Sequence, residues 1–368
     1  DFNFKDKVAL LRSDLNSNVV NGKVILSERI IQSVITIKEL KKRGAKVVII
    51  AHQGRKGSSD FLSLEQHAKL LNRYTTVRFV KDIVGKEAER EIKNLKSGEA
   101  LLLENIRSED DELNPRAENN RLIKLTEWAD IYVNDAFSVC HREQTSITEF
   151  PKRLPSCAGR LLEKEVNALK KIKIKKCLYI LGGAKPEDNI KLLKGNKILS
   201  CGLFGQVCLI NKGKNLGAQN KYLEKQGVLI KIERSKLRKV ITPIDFAVLI
   251  NGKRREIEIK NFPNEYEIFD IGSKTIKLYT EEIKKAKAIY MKGPAGDCSK
   301  KEFCKGTKSI LEAVSKIKVF SVIGGGHLSD AIKKFKIDKS KFGHISLSGG
   351  ALLSYIAGEK LPGLEALK

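Results

Sequence analysis

Apolar runs of five to seven residues alternate with stretches of helical period along the whole chain. In the first half the runs fall near residues 7–12, 45–51, 76–80, 99–104 and 130–136. Between them lie segments such as SERIIQSVITIKELKKRG, where apolar positions recur every three to four residues and a glycine marks the stop. A strand that is apolar at consecutive positions needs cover on both faces, and the intervening helices supply it. The pattern predicts α/β architecture with mostly parallel sheets.

The segment FPKRLPSCAG, residues 150–159, interrupts this alternation with two prolines and a glycine. A long helical pattern, LLEKEVNALKKIKI, follows it. The strand–helix alternation then resumes with KCLYILGGAK, NKILSCG, KVITPIDFAV, EIFDIGSK, AIYMKGPAG and VFSVIGGG. We expect two Rossmann-like three-layer domains joined by a hinge helix, with residues 1–155 in the first and 156–350 in the second. The end of the chain, 351–368, has a helix-like middle and a Pro-Gly break.

Composition changes this picture little. The chain has 368 residues, 41% hydrophobic and 31% charged, a globular balance with enough chain for two cores. No run of 18 apolar residues and no secretory pattern is present, so no membrane partner and a cytoplasmic location are expected. Seven cysteines, an odd number without a CxxC pair, argue for reduced thiols rather than a disulfide framework, and five histidines without ligand spacing argue against a metal centre. The formal net charge is +26, but residues 1–150 carry 25 basic against 23 acidic residues, so nearly all the excess lies beyond them. Stretches such as KKIKIKK, with no interleaved aromatics, read as solvated helix faces. Nucleic acid is the alternative, not expected as the primary partner because no recognition helix or RNA-binding motif accompanies the charge.

The chemistry sits where strands end. VALLRSDLN, KVVIIAHQGR, ALLLENIRS and IYVNDAFSVCHR each carry an apolar run into arginine or histidine. In an open parallel sheet the carboxyl ends of the strands share one rim, so Arg12, Arg55, Arg107 and Arg142 should converge there. Gathered guanidiniums repel one another, and a multiply charged anion relieves that repulsion, phosphate and carboxylate both suiting the planar guanidinium fork. In the second half the strands end instead in glycine: LGGAK, CGLFG, DIGSK, KGPAG, GGGH and SGGA. Glycine lets backbone N–H groups approach phosphate closely. Neither GxxxxGK[ST] nor GxGxxG occurs, which excludes a P-loop and a standard dinucleotide site. An anion rim in one domain and a nucleotide bed in the other describe phosphoryl transfer between two substrates.

The ordered motifs RSDLN, AHQGR, LLLENIR, VNDAFSVCHR, LGGAK, MKGPAG, IGGGH, HISLSGGA and LPGLEAL closely resemble the phosphoglycerate kinase family, with an archaeal flavour in LGGAKPEDNI and GGGH. The resemblance spans the chain and implies a phosphotransferase of glycolysis and gluconeogenesis with a carboxyl acceptor. Its partners would be 3-phosphoglycerate or 1,3-bisphosphoglycerate, and ATP or ADP with Mg²⁺. By the same resemblance the first domain binds phosphoglycerate, the second binds nucleotide, the domains close about a hinge, and the C-terminal segment returns to the first domain. Asp14, Leu15 and Asn16 match the contacts to the glycerate end, and His52, Gln53, Gly54, Arg55, Arg107 and Arg142 match the basic patch. Arg29 matches the catalytic arginine and Lys185 the lysine that accompanies the moving phosphoryl group. Gly325 and Gly349 match transition-state loops. Gly183, Ala184, Lys185, Asn189, Gly202, Gly272, Pro294, Ser299, Gly324, Gly325, Gly326, His327 and Leu328 match the nucleotide side.

Departures from the family pattern cluster on that side. The lysine usual four residues after Lys185 is Asn189, the usual Asn before Gly-Pro is Lys292, the ribose-binding acid is Ser299, and the Asp-Thr after the triple glycine is His327-Leu328. Imidazole is a poor substitute for a carboxylate on Mg²⁺, which leaves Asp188 and Asp245 as possible replacements. These changes also admit an alternative: a diverged member that keeps anion binding with weak or no kinase activity.

Overall fold

In a computed structural model describing residues 2–172 and 174–368, the chain folds as two compact units. One runs to Asn167 and also takes in Gly358–Lys368; the other is Ala168–Ala357.

The first unit is built on β1 (Val8–Arg12), β2 (Lys46–Ile50), β3 (Arg78–Val80), β4 (Ala100–Leu103), β5 (Ile131–Asn134) and β6 (Ser156–Ala158). All pairs are parallel, in the order β3-β4-β2-β1-β5-β6. Alternate residues of each strand serve opposite cores, as the period of two requires. Leu11, Val47, Ile49 and Leu102 join Ile30, Val34 and Ile37 of helix Glu28–Lys42 on one face. Leu10, Val48, Ile50 and Leu101 join Ala88 and Ile92 of helix Lys86–Lys93 on the other. Strand β6 lies in the Pro-rich break, which therefore closes the sheet edge before helix Arg160–Lys171 begins.

The second unit repeats the plan with β7 (Leu178–Leu181), β8 (Ile198–Ser200), β9 (Val240–Ile241), β13 (Ile289–Lys292), β14 (Ser321–Gly324) and β15 (His344–Ser346). These strands run parallel in the order β9-β8-β7-β13-β14-β15. A separate antiparallel sheet, β11-β10-β12, is formed by β10 (Asp245–Ile250), β11 (Lys253–Glu258) and β12 (Ile268–Ile271).

Two expectations are corrected here. KVITPIDFAV, read as one strand, divides at Pro243, which has no N–H for a ladder, into β9 of the large sheet and β10 of the small one. Strand β11, KRREIE, is charged and largely exposed, so it gives no apolar run; its signal is the Asn251-Gly252 turn, both residues at positive φ. The thiols are not all reduced either. Cys298 and Cys304 form a disulfide, while Cys140, Cys157, Cys177, Cys201 and Cys208 are free. The Asp297–Cys304 loop folds back through Lys300 N–H to Asp297 C=O and Phe303 N–H to Lys300 C=O, bringing together two cysteines whose spacing of six carries no motif.

Candidate active site

In the first unit the chain runs outward from β1 to β2 on one side and reappears on the other side as β5. This is the switch point at which open α/β sheets form a crevice. Strand β1 ends there on Arg12, which is fully buried. Its guanidinium donates to Ser13 C=O (2.8 Å), Ser146 Oγ (2.9 Å) and His52 Nδ1 (3.1 Å). A guanidinium cannot accept, so His52 Nδ1 must, and the imidazole is neutral with its proton on Nε2. Burial, and then the charges of Arg12, Arg107, Arg29 and Arg142, hold the His52 pKa well below the usual histidine range.

The other arginines of the rim meet around this pair. Arg107, in the turn after β4, donates to Gly54 C=O (2.6 Å); burial, then Arg12 and Arg142, draw its pKa down to about 10. Arg142, in the turn after β5, has a pKa lowered by burial and then by Arg55. Its Nε lies 3.3 Å from His141 Nε2, while Arg55 is exposed. Arg29, in the first turn of Glu28–Lys42, is paired with buried Asp14 at 2.9 Å. Asn16 Oδ1 accepts from Gly54 N–H (2.9 Å), and Gln53 bridges Ser17 and the Asp60 carbonyl. Gly54 needs to be glycine: its φ is +67° and a Cβ would collide with the Asp60 carbonyl oxygen. Leu15 is fully buried, with its side chain in the core.

Sequence reading missed two supports of this cluster. Glu112, fully buried, lies 3.7 Å from Arg12 and accepts from Ser146 Oγ (2.7 Å) and Ser146 N–H (3.0 Å). Burial raises its pKa, against the pull of Arg12. Arg12 itself, counted among the rim arginines but given no role, is the hub. An arginine closing a fully apolar strand was the available signal; nothing local marks Glu112 or Ser146.

In the second unit the switch point lies between β7 and β13. Three of the glycine turns lock together there. Gly183 N–H donates to Pro294 C=O (2.8 Å), Gly202 N–H to Ala295 C=O (3.0 Å) and Leu203 N–H to Gly183 C=O (3.2 Å). Gly202 cannot carry a side chain, because its φ is +54° and a Cβ would lie 2.6 Å from Gly183 N. Beside them Gly325 N–H donates to Ser346 C=O (3.2 Å), joining the turns after β14 and β15. Ala184, Lys185, Gly326 and His327 are exposed there, and Gly349 is half-buried. Gly324 and Leu328 face inward instead: a Cβ on Gly324 would meet Leu352, and Leu328 belongs to the core. Gly272 belongs to the small sheet, where the Asp245 carboxylate fills the place of its Cβ. Asp245 accepts from Lys274 N–H (2.9 Å), Thr275 N–H (2.7 Å) and Thr275 Oγ1 (2.6 Å), so it caps helix Ser273–Lys284 and is not offered to a metal. Asp188 is paired with Lys292 at 3.1 Å. Ser299 Oγ donates to Asp297 Oδ1 at 2.6 Å.

A family model described as phosphoglycerate kinase matches residues 1–359. The phosphoglycerate kinase of Methanothermus fervidus is 39% identical over 395 aligned positions, covering 100% of this chain and 96% of that protein. The Pyrococcus furiosus enzyme is 40% identical with the same coverage. Among solved structures, phosphoglycerate kinase from Pyrococcus horikoshii OT3 superposes with a TM-score of 0.92 at 37% identity, covering 100% of this chain and 97% of that one. The Coxiella burnetii phosphoglycerate kinase gives 0.81 at 28%, with the same two coverages. Two switch points, one surrounded by arginine and one by glycine turns, thus occur on a chain alike from end to end to these enzymes, and the chain belongs to the phosphoglycerate kinase family.

Proposed function

We propose that the first unit binds 3-phosphoglycerate at the arginine rim and the second binds MgATP at the glycine turns. The γ-phosphoryl group passes to a carboxylate oxygen of 3-phosphoglycerate, giving 1,3-bisphosphoglycerate and ADP, and the reaction runs in both directions. A substrate carboxylate oxygen bonds to phosphorus as the β–γ bridging bond breaks, and the electron pair leaves on ADP. The carboxylate is already ionised, so no general base is required. The observation that carries this reading is charge. Arg12, Arg29, Arg107 and Arg142 act on a neutral His52, with Arg55 beside them, while Asp14 pairs with Arg29 and Glu112 with Arg12 from buried positions. Such an excess favours a multiply charged anion.

In a loose transition state charge spreads over the equatorial oxygens, and fixed cations stabilise it without covalent help. Arg29, half-exposed beside Asp14, and Lys185, exposed after the Gly182-Gly183 turn, fill those roles. Gly349 contributes its backbone N–H group, while Gly325, whose N–H is donated to Ser346 C=O, holds the adjoining turn. With Asp245 used as a cap and Asp188 paired, Mg²⁺ arrives with ATP as part of the substrate. The setting is cytoplasmic glycolysis and gluconeogenesis. Arg29→Ala should lower turnover by about 10² or more while MgADP affinity stays at the wild-type value, since the loss is confined to the transition state. Steady-state kinetics with calorimetric MgADP titration checks this, and unchanged turnover would remove Arg29 from the mechanism.

A further inference from the structure

Lys292 is the charged residue at the second switch point that no role yet uses. The final register row across the large sheet reads Ser200, Leu181, Lys292, Gly324 and Ser346, so Lys292 alone carries charge in it. It closes β13, directly beside β7 and its Gly182-Gly183 turn, and precedes the Gly293-Pro294 turn that locks onto Gly183. Its side chain is only 13% exposed. Its ammonium donates to Asp188 Oδ2 (3.1 Å) and Asn189 Oδ1 (3.4 Å), while Asn189 anchors itself through Nδ2 to Gly182 C=O (3.0 Å).

We propose that Lys292 binds a nucleotide phosphate, supplying from β13 the positive charge that Asn189 does not supply from the neighbouring turn. The inference rests on the reading of this unit as the nucleotide site. An ammonium has three N–H donors; two serve Asp188 and Asn189, which leaves one for a phosphate oxygen without breaking either contact. A cation this far out of water is costly unless anions meet it, and Asp188, itself 40% exposed, is a partial counter-charge. The sequence supports the same conclusion. Relative to the family pattern, lysine and asparagine have changed places between positions 189 and 292, and here the two side chains touch. The exchange moves the cation by one side chain and keeps it on the same crevice.

The test is calorimetric titration of the full chain with MgADP, using a wild-type urea unfolding profile as the control for correct folding of the second unit. Lys292→Asn should weaken MgADP binding by about tenfold to hundredfold, the worth of a charged hydrogen bond. The double variant Asn189→Lys/Lys292→Asn should recover to within about threefold of wild type, because neighbouring substitutions are coupled. Asp188→Asn separates binding from a merely structural pair: it should bind MgADP at least as tightly as wild type, since it removes a negative charge beside the phosphates. Undiminished MgADP affinity in Lys292→Asn would overturn the proposal, as would an equal loss in Asp188→Asn and Lys292→Asn. A wild type that binds 3-phosphoglycerate but no MgADP would overturn the nucleotide reading itself, which is a distinguishable result.

Discussion

His67 shows how single side chains tie fold to site. It lies fully buried on helix Glu65–Leu71, with Nε2 3.1 Å from Gln53 Oε1. Ser17 N–H donates to the same oxygen, so Gln53 accepts twice and the His67 proton is on Nε2. Burial lowers the His67 pKa to about 4 and lowers that of His52 in the same direction. A histidine kept neutral by folding binds fewer protons than the unfolded chain does. Its stabilisation is therefore complete above about pH 6.5 and is lost as pH falls toward the folded-state value. For His67 the loss should reach the order of 3 kcal/mol at about pH 4. Urea midpoints near pH 7.5 and pH 5 should differ less in His67→Gln than in the wild type; an equal difference would show that His67 does not titrate on unfolding. Arg12, Arg55, Arg107 and Arg142 were legible because each stands at the close of an apolar run, where a parallel sheet sends its functional residues. Glu112 was not legible, because its partners Arg12 and Ser146 reach it only through the tertiary fold.

At the scale of elements, strands with unbroken apolar runs were readable, and strands whose partners lie elsewhere were not. Strands β9 and β10 look like one run because both are apolar; what separates them is which sheet offers each a partner. The C-terminal element couples to the rim directly. Helix Pro362–Glu365 packs on the 140–149 turn, where Gly363 N–H donates to Cys140 C=O (2.9 Å). A Cβ on Gly363 would lie 2.7 Å from Ile147 Cγ2 and 2.9 Å from Cys140 Cα. That turn also carries Arg142 and Ser146. Gly363→Val should therefore cost about 1–3 kcal/mol through overpacking and weaken 3-phosphoglycerate binding. Deleting residues 358–368 should do so more strongly, and MgADP affinity should hold in both variants. Parallel loss of both affinities in calorimetry would show that the segment acts on global stability alone.

For the whole molecule, the charge distribution has two meanings. Residues 1–150 are almost balanced in sequence, yet Arg12, Arg29, Arg55, Arg107 and Arg142 gather at one rim. The large excess beyond them includes exposed lysines in short-range pairs, such as Lys284 with Glu281 and Lys285 with Glu282, which add little to stability. Net charge was thus a poor guide to where the arginines gather, and the position of charge at strand ends was a good one. The central claim is that these two crevices perform one phosphoryl transfer. The most direct test is steady-state turnover of the purified chain with 3-phosphoglycerate and MgATP, followed by coupled reduction of the acyl phosphate formed. The account predicts turnover on the order of 10–10³ s⁻¹. No turnover from a chain that still binds both 3-phosphoglycerate and MgATP would contradict it.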